Sequence, residues 1–219
     1  MNNSLKKIIL SENIIKKERN KYKFNFIEKV IYINLEKRKD RREQIEKELA
    51  LYFEPKKIIR FNAIYNVKGI IGCVKSHINV LEMAIKNNWN NCLIVEDDVI
   101  WNDFENGYSI LEKINKYNYD VIVLGGTFAN YNSDYKLNDC KAGCSYLIKK
   151  HYYLTLLKNF KESLNLLLET NDRSNYSLDI YWNKLQKTDN WYIVAPSLCI
   201  QKSSFSDIEK CNVDYSQFY

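Results

Sequence analysis

Three adjacent carboxylates, Glu96, Asp97 and Asp98, are the residues of this sequence best suited to chemistry. They follow the apolar run LIV at 93–95, which is typical of a buried strand. Neighbouring acids repel one another, so a strand that ends in three of them needs a compensating partner. Because side chains alternate along an extended strand, we expect Glu96 and Asp98 on one side and Asp97 on the other.

A hard divalent cation is one partner that would compensate this charge. Mg²⁺ and Mn²⁺ prefer oxygen ligands, and such ions commonly carry substrate phosphates as further ligands. The acids therefore favour a metal site that binds a diphosphate. The alternative is that they pair with surface lysines, because acids at strand ends also occur for structural reasons.

A second group of candidates follows an earlier strand, in INLEKRKDRR at 33–42. Asn34 stands at the strand end, and the planar fork of an arginine suits phosphate. Adjacent residues of a helix diverge by about 100°, so Arg41 and Arg42 do not both face one site. We favour Asn34, Arg38 and Arg41 as nucleotide contacts. The alternative is a basic, exposed first helical turn.

The elements around these residues alternate between strand and helix patterns. β-branched and apolar runs predict strands, and residues 71, 74, 78, 81 and 85 share one face of a predicted helix that precedes the acids. The predicted strands cover 30–35, 57–61, 93–96, 119–126, 142–150 and 191–196, and further helices cover about 105–117, 151–168 and 176–187. This order predicts an α/β domain with a central, mostly parallel sheet flanked by helices. Ligands of such sheets bind at the carboxyl ends of the strands, where the acids stand.

The composition is that of one globular domain. The chain has 219 residues, 46% of them apolar and 27% charged, and no proline- or glycine-rich linker. We expect a basic N-terminal extension at 1–28 and one domain at 29–219. Residues 1–23 carry five of the six net positive charges. Such an extension can touch nucleic acid or an anionic membrane, but we favour a solvated helix and expect no nucleic-acid partner.

The sequence has neither a run of about 18 apolar residues, as a membrane span requires, nor a signal-peptide pattern. We therefore expect a cytoplasmic protein, in the host cytoplasm if the source is a virus. The six cysteines are expected to be free thiols, because a chain of this size needs no disulfide framework. Cys140 and Cys144 lack a second cysteine or histidine pair that could complete a zinc site with them. The chain has only two histidines, His77 and His151, which are too few for a histidine-rich metal site.

Several segments together resemble glycosyltransferase family 25, which includes lipopolysaccharide and collagen glycosyltransferases. The similar segments run in the order of the family over about 29–210: VIYINLEKRKDRREQIEKEL, RFNAIYNVKG, GIIGCVKSHINVLEMAI, CLIVEDDVIWNDF, YDVIVLGG, AGCSYLIKK, SLDIYW and PSLCIQKSSFSDI. The resemblance implies a GT-A fold, a nucleoside-diphosphate-sugar donor and usually Mn²⁺. It predicts transfer of a hexose, galactose or glucose, from a UDP-sugar to a hydroxyl of a glycan or glycoprotein, with inversion.

The resemblance also implies roles for single residues at the donor side. Asp98 would be the direct metal ligand, with Glu96 at the ribose, the metal or its waters, and Asp97 as a weaker contact. Many GT-A enzymes complete the metal site with a late histidine, but no histidine follows His151. Gln201 matches the late glutamine of the family instead, and the resemblance makes it a further, weak metal ligand. Further donor contacts are expected from Ala63, Ser76 and His77.

An inverting transfer needs a base that takes the proton of the acceptor hydroxyl. By resemblance, Asp179 in SLDIYW is the candidate. The alternative is that Asp179 starts or caps a helix. Two other functions stay open: an inactive relative that binds a nucleotide sugar or a protein, and an unrelated nucleotide-binding module. The second would need a glycine-rich phosphate loop, and neither G-x-G-x-x-G nor G-x-x-x-x-G-K-[ST] occurs.

Overall fold

The computed structural model of the chain describes residues 24–219. The ten strands of this part are β1 (Lys29–Asn34), β2 (Ile58–Asn62), β3 (Asn91–Glu96), β4 (Val99–Trp101), β5 (Val121–Tyr131), β6 (Leu137–Lys149), β7 (Trp191–Ile193), β8 (Cys199–Gln201), β9 (Ser204–Phe205) and β10 (Asn212–Val213). The helices are α1 (Lys39–Ala50), α2 (Gly69–Lys86), α3 (Phe104–Ile114), α4 (Tyr153–Thr170), α5 (Arg173–Tyr176), α6 (Leu178–Tyr181) and α7 (Asn183–Thr188). The prediction of an α/β domain is confirmed.

Six strands form a central sheet in the order β2-β1-β3-β6-β5-β7. The pairs β1–β2, β1–β3 and β5–β7 are parallel, whereas β6 runs antiparallel to both of its neighbours. Five of the six strands therefore point the same way, and the prediction of a mostly parallel sheet is confirmed. The carboxyl ends of β1, β2 and β3 meet at one edge, which positions the candidate site.

Both faces of the sheet are buried, because the side chains of its strands alternate between two apolar clusters. On β1, Ile31 and Ile33 enter the cluster with α2 and α4, while Val30 and Tyr32 enter the cluster with α1 and α3. Full burial of one such aliphatic side chain contributes about 1.5–3 kcal/mol. Because the continuous apolar sequence of β1 is buried on both faces, the packing holds the ends of this strand in fixed positions.

Phe24 and Ile27, near the start of the described residues, belong to the packed core and are 1% and 0% exposed. The packing thus includes residues 24–28, which the sequence analysis assigned to the N-terminal extension. Residues 1–23, with the predicted helix and its contact with a membrane or nucleic acid, lie outside the described residues. None of the helices between residues 24 and 219 combines the length and the apolar character that crossing a bilayer requires.

A short second sheet connects the acidic turn to the end of the chain. Residues 97 and 98 form a turn after β3, and β4 then pairs with β8 in antiparallel fashion, with Val99 opposite Gln201. The backbone N–H of Lys202 donates to the carbonyl of Asp98 at 2.8 Å. This pairing places Gln201 beside the acids, although more than 100 residues separate them in sequence.

Candidate functional site

The acidic turn lies against Arg41 from α1. Nη1 of Arg41 is 2.9 Å from Oδ1 of Asp97 and 2.9 Å from Oδ2 of Asp98. The expected alternation of side chains is therefore wrong beyond Glu96. The reason is that β3 ends at Glu96, so Asp97 and Asp98 lie in a turn and reach the same guanidinium group.

Asn34 holds Asp97 from the neighbouring strand. The amide Nδ2 of Asn34 donates to Oδ2 of Asp97 at 2.8 Å, and both side chains are buried. Because Arg41 occupies the other oxygen, both oxygens of Asp97 have protein partners. Asp97 is therefore fixed as a structural part of the turn, with Asn34 and Arg41 as its supports.

Asp98 differs from Asp97 because one of its oxygens lacks a partner. Oδ1 of Asp98 is buried and accepts no hydrogen bond from the part of the chain that the structure describes. Burial raises the pKa of Asp98, and Arg41 opposes this rise. A buried, partnerless carboxylate oxygen costs free energy, and a cation would compensate it. The chemistry of this oxygen fits a hard divalent ion.

Glu96 ends β3 and is bound by Gln201. Nε2 of Gln201 donates to Oε2 of Glu96 at 3.0 Å, and the hydroxyl of Tyr219 lies 3.2 Å from Oε1 of Gln201. Burial and the neighbouring carboxylates, first Asp98, raise the pKa of Glu96. The structure thus brings Gln201 to the acidic turn, where its amide N–H faces Glu96 and its carbonyl faces Tyr219.

The acids open into a cavity of about 930 Å³, at the upper end of the size range of small-molecule sites. Nine of the eleven predicted site residues line it: Arg41, Ala63, Ser76, His77, Glu96, Asp97, Asp98, Asp179 and Gln201. Asn34 lies just behind the wall, where it is 1% exposed. The predicted residues thus converge on one concave site.

Arg38 is the predicted residue that lies away from the cavity wall. Its guanidinium group binds Asp40 at 2.8 Å and Asp207 at 2.7 Å, and it also donates to the carbonyl of Phe205. In this arrangement Arg38 ties α1 to the C-terminal segment near β9. The sequence analysis grouped it with Arg41, but the structure does not bring the two to the same contacts with the acids.

Ser76 and His77 come from α2, directly behind the cavity. Oγ of Ser76 donates to the carbonyl of Gly72 at 2.7 Å and accepts from the N–H of Ile64 at 2.8 Å. Nδ1 of His77 is 2.8 Å from the hydroxyl of Tyr146. Burial lowers the pKa of His77 to about 4, so its imidazole is neutral at pH 7.

Asp179 reaches the cavity from a different element, α6. This helix has Ser177 as its N-cap residue, so Asp179 sits one position into the first turn. Oδ2 of Asp179 accepts from the backbone N–H of Ala142 on β6 at 3.1 Å. The carboxylate therefore braces β6 and lines the cavity. Of the alternative role, Asp179 does stand in the first turn of a helix, but Ser177 and not Asp179 is the N-cap residue.

The sequence analysis missed several residues of the cavity wall. Lys141 and Phe128 line it, with Nζ of Lys141 5.7 Å from the centre of the Phe128 ring. Both Phe128 and Ala142 have positive φ, at 51° and 46°, and this backbone conformation is uncommon for residues with a Cβ. No sequence pattern signals these positions. Cys73 was interpreted only as a buried thiol, although its spacing of four from His77 places both on one helical face.

Comparison with known proteins gives a match to one family model and a distant likeness to solved glycosyltransferase structures. The family model described as glycosyltransferase family 25 (LPS biosynthesis protein) matches residues 66–171. A glycosyltransferase involved in the glycosylation of the major capsid of PBCV-1 is 10% identical, with a TM-score of 0.47, over 79% of this chain and 92% of that one. The glycosyltransferase GlyE of Streptococcus pneumoniae is 10% identical, with a TM-score of 0.47, over 81% of this chain and 55% of that one. A search of the curated proteins gave no match.

The matched segment contains α2 and the acidic turn, which carry Ser76, His77 and the three acids. Asn34, Arg41, Asp179 and Gln201 lie outside this segment, and the fold brings them to it. Over residues 66–171 the chain thus matches glycosyltransferase family 25, and the fold brings these other predicted side chains to the cavity that this segment lines.

Proposed function

We propose that the protein transfers a hexose, galactose or glucose, from a UDP-sugar to a hydroxyl group of a glycan or glycoprotein, with Mn²⁺ or Mg²⁺ as its cofactor. The observation that carries this proposal is the partnerless buried oxygen of Asp98 in the wall of the cavity. It supplies an anionic ligand at the carboxyl end of a central strand, where nucleotide ligands of α/β sheets bind.

Asp98 and Glu96 are the residues that would hold the metal, and Gln201 orients Glu96. When bound, a divalent ion would neutralise the charge that develops on the departing diphosphate. Asp97 is kept in place by Asn34 and Arg41 and contributes negative charge without a free oxygen. Arg41 in turn limits the repulsion between Asp97 and Asp98 before the metal binds.

Asp179 is the proposed base for an inverting transfer. It faces the same cavity as the acidic turn but comes from a different element, so donor and acceptor groups can approach from two sides. The hydrogen bond from Ala142 fixes one of its oxygens and leaves the other for the acceptor hydroxyl. A carboxylate within hydrogen-bond reach of that hydroxyl can remove its proton as the sugar is transferred.

A screen of UDP-sugars for hydrolysis in the presence of Mn²⁺ tests this proposal, because donor hydrolysis needs no known acceptor. We expect hydrolysis of UDP-galactose or UDP-glucose that stops when EDTA removes the metal. Binding is measured in parallel by thermal unfolding, since UDP at about 100 times its dissociation constant adds about 2.7 kcal/mol of stability. UDP should raise Tm with Mn²⁺ and not with EDTA.

The outcomes separate the proposal from its alternative. Metal-dependent stabilisation by UDP without hydrolysis of any UDP-sugar and without transfer would indicate an inactive nucleotide-sugar-binding relative. Equal stabilisation with Mn²⁺ and with EDTA would contradict the metal bridge at Asp98.

A further inference from the structure

A second group of possible metal ligands lies at the back of the cavity, on α2 and the end of β3. Cys73, His77 and Glu96 each offer one ligand atom, and these atoms all lie within 4.8 Å of one another. Cys73 and His77 are four residues apart on one helix, so they share a face. Glu96 comes from the neighbouring strand and completes a set of one sulfur, one nitrogen and one oxygen.

We propose that Cys73, His77 and Glu96 form a binding site for a thiophilic divalent cation such as Zn²⁺. Zinc accepts thiolate, imidazole and carboxylate ligands in tetrahedral geometry, with ligands about 2.0–2.3 Å from the ion. Three protein ligands with a fourth position open to a cavity are the arrangement of zinc sites that bind a water or a small molecule. All three residues line the cavity, which supplies that open position.

His77 is already oriented for such a site. The hydroxyl of Tyr146 lies 2.8 Å from Nδ1. In the tautomer in which Nδ1–H donates to this hydroxyl, Nε2 has a free lone pair for a metal. A hydrogen bond to the other ring nitrogen is the usual way in which a metal-binding histidine is held in one tautomer and orientation. Tyr146 and His77 are both buried, so this support is rigid.

The surroundings of Cys73 favour a cation in the same place. Burial, and after it the carboxylates of Glu96, Asp179 and Asp98, raise the pKa of its thiol. The charge of these carboxylates attracts a cation, and a bound cation would stabilise the thiolate that the same charge otherwise disfavours. Among the six cysteines, Cys73 is thus the one with a histidine and a carboxylate within ligand distance in the described residues.

The proposed zinc site differs in ligand chemistry from the site at Asp98. Mn²⁺ and Mg²⁺ select oxygen ligands, whereas a thiolate selects zinc and its soft neighbours. The two sites share Glu96, so one ion at Cys73 would withdraw this carboxylate from the other. We therefore expect Zn²⁺ to compete with the Mn²⁺-dependent function, although zinc binding itself does not depend on the proposed transfer.

Cobalt(II) titration of the metal-free full-length protein tests the site, because Co²⁺ substitutes for Zn²⁺ and reports thiolate ligation by charge-transfer absorption. A phosphine reductant keeps the cysteines reduced without adding a thiol. We expect an absorption band that saturates at about one equivalent of Co²⁺, as the single site predicts, and that Zn²⁺ abolishes by displacement. Absence of the band in the wild-type protein would overturn the proposal.

Three variants identify the ligands. Cys73→Ser should lose the band, whereas Cys211→Ser, the matched control at an exposed free cysteine, should keep it. Glu96→Gln should keep a thiolate band and bind Co²⁺ more weakly, which tests the site even if Cys73→Ser fails to fold. A band that persists in Cys73→Ser, or unchanged affinity in Glu96→Gln, would contradict the ligand set.

Asp98→Asn separates this site from the proposed transferase site. Asp98 is not one of the three ligands, so the cobalt band should remain while Mn²⁺-dependent UDP binding is lost. Loss of both in a folded Asp98→Asn protein would mean that the ion sits at the acidic turn instead. A cobalt band in a protein that hydrolyses no UDP-sugar would leave the zinc site intact and contradict the transferase proposal alone.

Discussion

Nη1 of Arg41 lies 2.9 Å from Oδ2 of Asp98, while Oδ1 of the same buried carboxylate has no hydrogen-bond partner in residues 24–219. One side of Asp98 is therefore compensated by the protein and the other side is not. The same guanidinium nitrogen also serves Asp97, whose second oxygen is bound by Asn34. This asymmetry between two adjacent acids leads to different expectations for their substitution.

Asp98→Asn should abolish metal-dependent hydrolysis of a UDP-sugar without unfolding the protein. The amide keeps the shape of the side chain but removes the charge that would hold the metal. Because burial raises the pKa of Asp98, folding disfavours its charged form. In EDTA, the free energy of unfolding of the variant should therefore equal or exceed that of the wild type. Urea denaturation and a hydrolysis assay give the two quantities.

Asp97→Asn is the matched comparison and should behave in the opposite way. It removes the ionic hydrogen bonds to Arg41 and Asn34, and hydrogen bonds to charged groups contribute about 1.5–3 kcal/mol. We expect a lower free energy of unfolding and a smaller loss of hydrolysis than in Asp98→Asn. Complete loss of hydrolysis in a stable Asp97→Asn protein would mean that Asp97 is the metal ligand.

We expect the buried His77 to make the free energy of unfolding depend on pH, with lower stability at lower pH. Burial lowers its pKa from 6.5 to about 4, so the unfolded chain binds this proton more readily than the folded one. The contribution of neutral His77 is fully present above pH 6.5 and is lost as the pH falls from 6.5 towards 4, by at most about 1.4 kcal/mol per pH unit. Urea denaturation between pH 4 and pH 8 measures this slope.

Replacing His77 isolates its contribution. His77→Gln should flatten the slope between pH 4 and pH 6.5, because the group that gains the proton on unfolding is gone. The wild-type protein, measured at the same pH values, is the reference for this slope. An unchanged slope in His77→Gln would show that other groups cause the dependence.

The sequence predicts the order of elements well because each central strand is a continuous apolar run. Both faces of β3 and β5 are covered by other elements. Their sequences, NCLIVE and VIVLGGTFANY, each contain an uninterrupted apolar run, which is typical of such strands. The helix α2 is equally clear because its apolar residues repeat at helical spacing. Such local patterns also place the three acids at the end of a central strand.

Contacts that depend on distant parts of the chain escape the sequence. Arg38 binds Asp207, which is 169 residues away, and no sequence pattern near Arg38 predicts this partner. The alternation expected of Asp97 fails because β3 ends one residue earlier, and strand ends are set by pairing with neighbours. Gln201 reaches Glu96 through the pairing of β4 with β8, two three-residue strands whose patterns are too short to predict.

Trp182 illustrates an ambiguity that the structure resolves. An aromatic residue near a candidate sugar site could stack on a sugar or belong to the core, and Trp182 is 0% exposed and contacts Tyr146, Phe160 and Trp191. Trp182→Ala should lower the free energy of unfolding by about 3–5 kcal/mol, as other large core truncations do. Leu154→Ala, at a 69% exposed position, should change it by less than about 0.5 kcal/mol. Equal effects in urea denaturation would contradict the core assignment.

Asp179→Asn separates acceptor chemistry from donor binding. The carbonyl oxygen of the new amide can still accept from the N–H of Ala142, so the fold and the position of β6 should be retained. Because Asp179 is not one of the proposed metal ligands, UDP and Mn²⁺ should still bind to the variant. Transfer to an acceptor should fall by about 10² to 10⁴-fold, which is the usual contribution of a general base.

Three measurements on this variant decide the role of Asp179. Tm reports the fold, the shift in Tm with UDP and Mn²⁺ reports donor binding, and sugar transfer reports the base. If the role of Asp179 is only structural, the Asp179→Asn substitution should lower Tm and leave turnover nearly unchanged. Wild-type turnover together with wild-type donor binding would therefore exclude Asp179 as the base, since an asparagine amide cannot accept the acceptor proton at neutral pH.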